Sequence, residues 1–175
     1  MRLTLLTAAF LVTSGGFCAS VAQSLDNLPA MQYTNLTFTS PTDGKQLKYS
    51  VYPPPGYKKG DECPVLLYMH GTTARQTWSP EAMQLEMYPI ETYKFFLVEP
   101  YCPTDQTCWD NFGFDKTPHT MTAQPTPGIR MTYELLNHLT NYLGLDSTRI
   151  YIHGNSNGGY ATWDMLVRWP RYFAA

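Results

Sequence analysis

The sequence predicts a three-layer α/β domain with a mostly parallel sheet and an antiparallel hairpin at its N-terminal side. Three observations predict it. The short apolar runs Val65–Met69, Phe95–Val98 and Ile150–Ile152 have the length and composition of strands covered on both faces. A stretch with helical periodicity lies between the second and third runs. The third run leads straight into Gly154-Asn155-Ser156-Asn157-Gly158-Gly159, which has the G-x-S-x-G form of a strand–turn–helix serine site.

Taken in order, the chain begins with a stretch that reads as a secretory signal. Arg2 precedes the apolar run Leu3 to Val12, and Ser20-Val21-Ala22 places small residues where a signal peptidase cuts, after Ala22. The run is shorter than the roughly 20 apolar residues of a membrane-spanning helix. The expected location is therefore outside the cytoplasm, extracellular or periplasmic, with residues 23–175 as the domain. Tyr33 to Thr39 and Gln46 to Tyr52 read as a hairpin, because Pro41-Thr42-Asp43-Gly44 between them is turn chemistry. Val65–Met69 and Phe95–Val98 follow as central strands, with a helical region expected at about Pro80 to Tyr88 between them.

Pro100 to Pro127 reads as a long irregular loop carrying Trp109, Phe112, Phe114 and His119. Loops of that length usually serve a function. Ile129, Tyr133, Leu136, Leu139 and Leu143 recur at helical spacing and stop at Gly144. Ile150–Ile152 is a short buried strand, and Tyr160 to Arg168 reads as a helix that Pro170 ends.

Composition narrows the function classes. Twelve basic and fourteen acidic residues give a net charge of −2, which offers nothing to nucleic acid and no charged interaction tail. No cysteine–histidine cluster has metal-ligand spacing, so neither a metal nor an organic cofactor is expected. Removal of the signal leaves Cys63, Cys102 and Cys108. Cys102 and Cys108 enclose a small loop suited to a disulfide in an oxidising compartment, with Cys63 left over. Asn35-Leu36-Thr37 is a glycosylation sequon, meaningful in a eukaryotic source.

The serine motif carries the chemistry. A serine hydroxyl attacks only when a base removes its proton and the developing oxyanion is held. A sharp turn after a strand aims Ser156, and it brings the neighbouring backbone so close that Gly154 and Gly158 must lack side chains. Gly159 lets the next helix pack near the sheet. The Asn157 N–H at the helix start is one expected oxyanion donor. The other is the N–H of Thr72 or Thr73, in the loop after Val65–Met69, where Gly71 allows close approach. His70 is expected to shape that loop through its ring, in preference to acting as the base. His138, His153 and His119 do not emerge as the base either, although His119 lies in the loop with most freedom to reach a pocket. Asp110, Asp115 and Asp164 read as solvated acids.

With these stretches in place, the chain resembles secreted α/β-hydrolase serine esterases, above all the polyhydroxybutyrate depolymerase, feruloyl esterase and predicted-peptidase group (phospholipase- and carboxylesterase-like). The matching stretches are Pro64 to Gly71, Asp146 to Trp163, and Leu166 to Ala175 through Arg168-Trp169-Pro170-Arg171-Tyr172-Phe173. The resemblance implies Ser156 as nucleophile, Asn157 as a backbone oxyanion donor, and a second donor after Gly71. The family's acid and histidine follow later strands and match nothing here. The expectation is thus an incomplete domain, with a missing C-terminal half, later strands absent, and the outer edge of the Ile150 strand unpaired. The implied partner is an ester substrate, with polysaccharide-linked acyl groups, polyesters and peptides all left open. A rival reading from another class is a non-catalytic secreted module that binds carbohydrate or protein through the Cys102 to Phe114 loop.

Overall fold

A computed structural model describes residues 24–72, 89–103, 109 and 121–175. The signal segment, the helix expected at Pro80 to Tyr88, and Thr73, Cys108, Asp110, Phe112, Phe114, Asp115 and His119 lie outside the described residues. The described elements are β1 (Thr34–Thr39), β2 (Gln46–Tyr52), β3 (Val65–Met69), α1 (Ile90–Tyr93), β4 (Phe96–Pro100), α2 (Pro127–Leu143), β5 (Ile150–Gly154) and α3 (Asn157–Arg168).

The strands form one sheet in the order β1-β2-β4-β3-β5. The hairpin pairs Thr34 with Val51 and Thr39 with Gln46, antiparallel. Its turn is closed by Ser40 N–H to the Lys45 carbonyl at 2.8 Å, with Gly44 at φ +72°. β3 runs parallel to both β4 and β5. β2 also pairs antiparallel with β4, so two of the four pairings among the described strands are antiparallel. The sheet is therefore mixed, with the expected parallel strands β4, β3 and β5 and the expected antiparallel hairpin at its N-terminal side. β2 joins the hairpin to the parallel strands by pairing with β4, the middle strand of the described order.

The two faces of the sheet have separate cores. Leu47, Val51, Val65, Leu67, Phe96, Val98, Ile150 and Ile152 face α2 and α3, where Leu135, Leu136, Leu139, Ala161 and Met165 meet them. Leu66, Tyr68 and Leu97 point to the other face with Ile90 of α1 and Phe95, joined by Met31 and Tyr33. This is the side-chain alternation of strands buried on both sides.

α2 starts at Pro127, two residues before the periodic apolar stretch, because Thr126 caps it. The Thr126 Oγ1 accepts the Ile129 N–H at 3.3 Å, and Pro127 occupies the first turn, where its missing N–H is harmless. Gly144 ends the helix at φ +71°, in the left-handed region. Arg130 and Glu134 on α2 clasp the hairpin turn. Glu134 accepts from Ser40 Oγ and Thr42 Oγ1, each at 2.6 Å, and Arg130 bonds Ser40, Glu134 and Asp43.

The outer edge of β5 is not bare. The Ala174 N–H donates to the Ile150 carbonyl at 2.7 Å, and the Ile152 N–H donates to the Ala175 carbonyl at 3.0 Å. The expected unpaired edge is thus corrected: residues 174 and 175 turn back alongside β5 and satisfy part of it.

Candidate active site

The site is placed by one feature of the topology. β4 lies on one side of β3 and β5 on the other, so the loops leaving β3 and β5 open side by side at a switch point. The β3–β5 register ends with Met69 opposite Gly154. The next residues, His70-Gly71-Thr72 and Asn155-Ser156, therefore emerge together, and the Asn155 N–H extends the ladder to the Met69 carbonyl at 3.1 Å.

Ser156 sits at φ +52°, ψ −119°, a backbone conformation that a residue with a side chain rarely adopts. The turn is held from both sides. The Gly158 N–H donates to the Asn155 carbonyl at 2.8 Å and the Gly159 N–H to the Ser156 carbonyl at 2.9 Å. α3 begins at Asn157, three residues before the expected Tyr160, because these turn bonds run straight into the helix.

Two of the three glycines are required by space. A Cβ on Gly154 would overlap the Gly158 carbonyl and lie 2.6 Å from Thr162 Oγ1. One on Gly158 would overlap the Met69 carbonyl and lie 2.8 Å from that of His70. Gly159 differs from expectation. A Cβ there would meet only the Gly154 carbonyl, at 3.6 Å, which is ordinary contact. The close approach falls on Gly158, one residue nearer the turn.

Ser156 is exposed, and among the described residues its hydroxyl has no hydrogen-bond partner. Gly71 lies against it: a Cβ on Gly71 would stand 3.4 Å from both Ser156 Cβ and the Asn155 carbonyl oxygen. The N–H groups of Asn157 and Thr72 have no acceptor among the described residues. Gly71 thus brings the loop that carries Thr72 against the Ser156 turn, and the Asn157 N–H stands at a helix N-terminus, where an oxyanion is favoured.

His70 is buried and its ring is engaged on both nitrogens. Nδ1 lies 2.6 Å from the Gly71 carbonyl oxygen, and Nε2 accepts the Cys102 N–H at 2.9 Å. Nε2 as acceptor requires the neutral ring with its proton on Nδ1, which donates to Gly71. Tyr101 and Trp109 flank the ring, with centroids at 5.8 and 5.1 Å.

His153 is half-buried and stacks on Tyr68 at 5.9 Å, while His138 sits on α2 between Phe38 and Tyr142. Asp164 corrects an expectation. It is buried, not solvated, and accepts from Arg168, whose guanidinium also reaches the Thr122 carbonyl at 2.9 Å. Burial raises its carboxyl above the ordinary carboxylate value, against the pull of Arg168.

The Asn35 side chain accepts from Ser50 Oγ at 2.6 Å, and Ser50 in turn bonds the Tyr101 hydroxyl at 2.9 Å. Cys102 is buried and Cys63 is half-buried. The partner expected for Cys102, Cys108, lies outside the described residues. Among the described residues no group of three His, Cys, Asp or Glu side chains is placed to hold a metal.

Sequence reading missed the part played by Trp109. Its fully buried ring donates Nε1–H to the His70 carbonyl at 3.1 Å, its N–H donates to Asn157 Oδ1 at 3.0 Å, and its carbonyl accepts from Thr126 Oγ1. One available signal was Thr126-Pro127, whose capping chemistry fixes where the long loop must rejoin the fold.

No family model matches the chain. Over 85 residues it is 29% identical to acetylxylan esterase A of Emericella nidulans, covering 49% of this chain and 27% of that protein. It is 27% identical to acetylxylan esterase A of Aspergillus oryzae over the same length, covering 26% of that protein. The matched part thus spans about a quarter of these curated relatives.

Among solved structures, a thermostable esterase superposes with a TM-score of 0.68 at 23% identity, covering 81% of this chain and 39% of that one. An acetyl xylan esterase from Aspergillus awamori superposes at 0.61 and 19% identity, covering 82% and 50%. An S-formylglutathione hydrolase from Staphylococcus aureus superposes at 0.60 and 19% identity, covering 83% and 56%. The mixed sheet, the strained Ser156 turn and these likenesses agree: the chain has the α/β-hydrolase fold and is similar to serine esterases of that fold.

Proposed function

We propose that this chain carries the nucleophile and the oxyanion-binding elements of a secreted serine esterase. The observation that carries the reading is the strained, exposed Ser156 at a helix start, with Gly71 of the β3 exit loop against it and the Asn157 and Thr72 N–H groups without an acceptor among the described residues. Ser156 Oγ attacks the ester carbonyl carbon, and the Asn157 and Thr72 N–H groups hold the tetrahedral oxyanion. Collapse expels the alcohol with a proton from the base, and water then releases the acid from Ser156. Acyl esters of plant-wall polysaccharide are the first substrates to try, given the acetylxylan esterase relatives.

On this reading His70 shapes the oxyanion loop and is not the base, because both of its ring nitrogens are committed to backbone groups. Removing a triad base lowers turnover by about 10⁶-fold. The test is hydrolysis of p-nitrophenyl acetate and acetylated xylan. Turnover is expected to vanish in Ser156→Ala and to persist, reduced, in His70→Ala. A folded Ser156→Ala variant that hydrolyses at the wild-type rate overturns the nucleophile reading, and a folded His70→Ala variant as inactive as Ser156→Ala overturns the reading of His70.

A further inference from the structure

We infer that Trp109 and the Asn157 side chain form a positioning tie that sets the spacing between the two oxyanion donors. The inference rests on the reading of Ser156 as nucleophile and assigns its neighbours a role that the elbow motif does not specify. Thr72 belongs to the strand-exit loop of β3, and the Asn157 N–H belongs to the start of α3. Trp109 is bonded to both segments at once. Its ring N–H holds the His70 carbonyl at 3.1 Å, and its backbone N–H holds Asn157 Oδ1 at 3.0 Å.

The first contact is transmitted to the donor by peptide geometry. Trp109 fixes the His70–Gly71 peptide through the His70 carbonyl, and the His70 ring fixes the Gly71 carbonyl at 2.6 Å. A trans peptide points its N–H opposite its carbonyl. With the Gly71 carbonyl turned to His70, the Thr72 N–H is turned the other way and kept there.

On the other side, the Asn157 Oδ1 accepts from the Trp109 N–H, which holds the residue whose own N–H is the second donor. Trp109 itself cannot drift. Its carbonyl is bound by Thr126, the cap of α2, and its ring is fully buried against His70. Oxyanion binding depends on donors already in place before charge develops, so a shift of either segment weakens the pair.

The experiment uses the whole chain and measures the second-order rate of Ser156 phosphonylation by a fluorophosphonate, followed by intact mass, beside thermal melts. Trp109→Phe removes the ring N–H together with part of the buried ring, so its melt is read beside its labelling rate, and Asn157→Leu keeps the branched shape but removes the acceptor. Each is expected to slow labelling at least tenfold at a temperature where it remains folded. The double variant is expected to be no slower than about the worse single variant, because both changes cut one tie.

Arg130→Ala loosens the hairpin clasp away from the site and is expected to label at the wild-type rate. This separates positioning from general stability. Folded single variants that label at the wild-type rate overturn the inference, as do losses that multiply in the double variant. If Trp109→Phe does not fold, Asn157→Leu decides with the same outcomes. If neither folds, the tie is purely structural and the inference fails. A folded wild-type chain that is not labelled at all overturns the nucleophile reading instead, which is a distinct result.

Discussion

Gly158 is packed against the His70 carbonyl so closely that a Cβ on it would lie 2.8 Å from that oxygen and overlap the Met69 carbonyl next to it. The obstacle is backbone at the end of β3, which cannot swing aside as a flexible side chain can. Gly158→Ala is therefore expected to cost about 1–3 kcal/mol, as overpacking does, and to abolish Ser156 labelling. Gly159→Ala is the matched contrast, because its Cβ meets only ordinary contact at 3.6 Å. Within a helix that change gains roughly 0.5–1 kcal/mol. Thermal melts of the two variants should move in opposite directions.

Ser156 stores strain in its own backbone, at φ +52° and ψ −119°. Such conformations cost on the order of 1–3 kcal/mol for a residue with a Cβ and little for glycine. Ser156→Gly is expected to be more stable than Ser156→Ala by about 1 kcal/mol, and both are expected to be unlabelled. Equal stabilities in chemical denaturation would show that the turn is unstrained.

Much of this was legible in the sequence, for physical reasons. The central strands are apolar on both faces, and the elbow demands glycine at fixed places, so local pattern and tertiary need coincide at Val65–Met69 and at Gly154 and Gly158. What escaped depends on contacts between distant segments. Asp164 reads as solvated from its helix position, yet it turns inward and pairs with Arg168. Trp109 reads as one aromatic in a long loop, and its three partners come from β3's exit, α2's cap and α3's start. The pairing of Ala174 with Ile150 follows from a chain reversal after α3 that no periodicity announces.

Asp146 holds the turn into β5. It accepts from the Thr148 hydroxyl and N–H and from Arg149, and these bonds lower its carboxyl to about 2. A carboxyl whose folded value lies below its unfolded one favours folding above the unfolded value of about 3.9. That contribution falls away as pH drops from there toward 2. Melts between pH 5 and 2 should therefore show a steeper acid loss in the wild type than in Asp146→Asn, and parallel curves would contradict the assignment.

Arg168 is expected to matter most where Asp164 is ionised. Removing one partner of a buried pair costs about 3–5 kcal/mol, and burial already raises the Asp164 carboxyl. In Arg168→Met that carboxyl rises further, so the folded chain binds a proton that the unfolded chain has lost. The penalty is then largest near neutral pH and shrinks as pH falls toward the unfolded value near 3.9. An Arg168→Met defect that does not change with pH would show that the ion pair is not its source.

The central claim is that Ser156 is the nucleophile this fold presents. It is tested most directly by treating the whole chain with a fluorophosphonate and mapping the adduct by peptide mass spectrometry. The account predicts one phosphonyl group on the peptide containing Ser156, absent from Ser156→Ala. A folded chain that takes no adduct, or takes it on another residue, would contradict it.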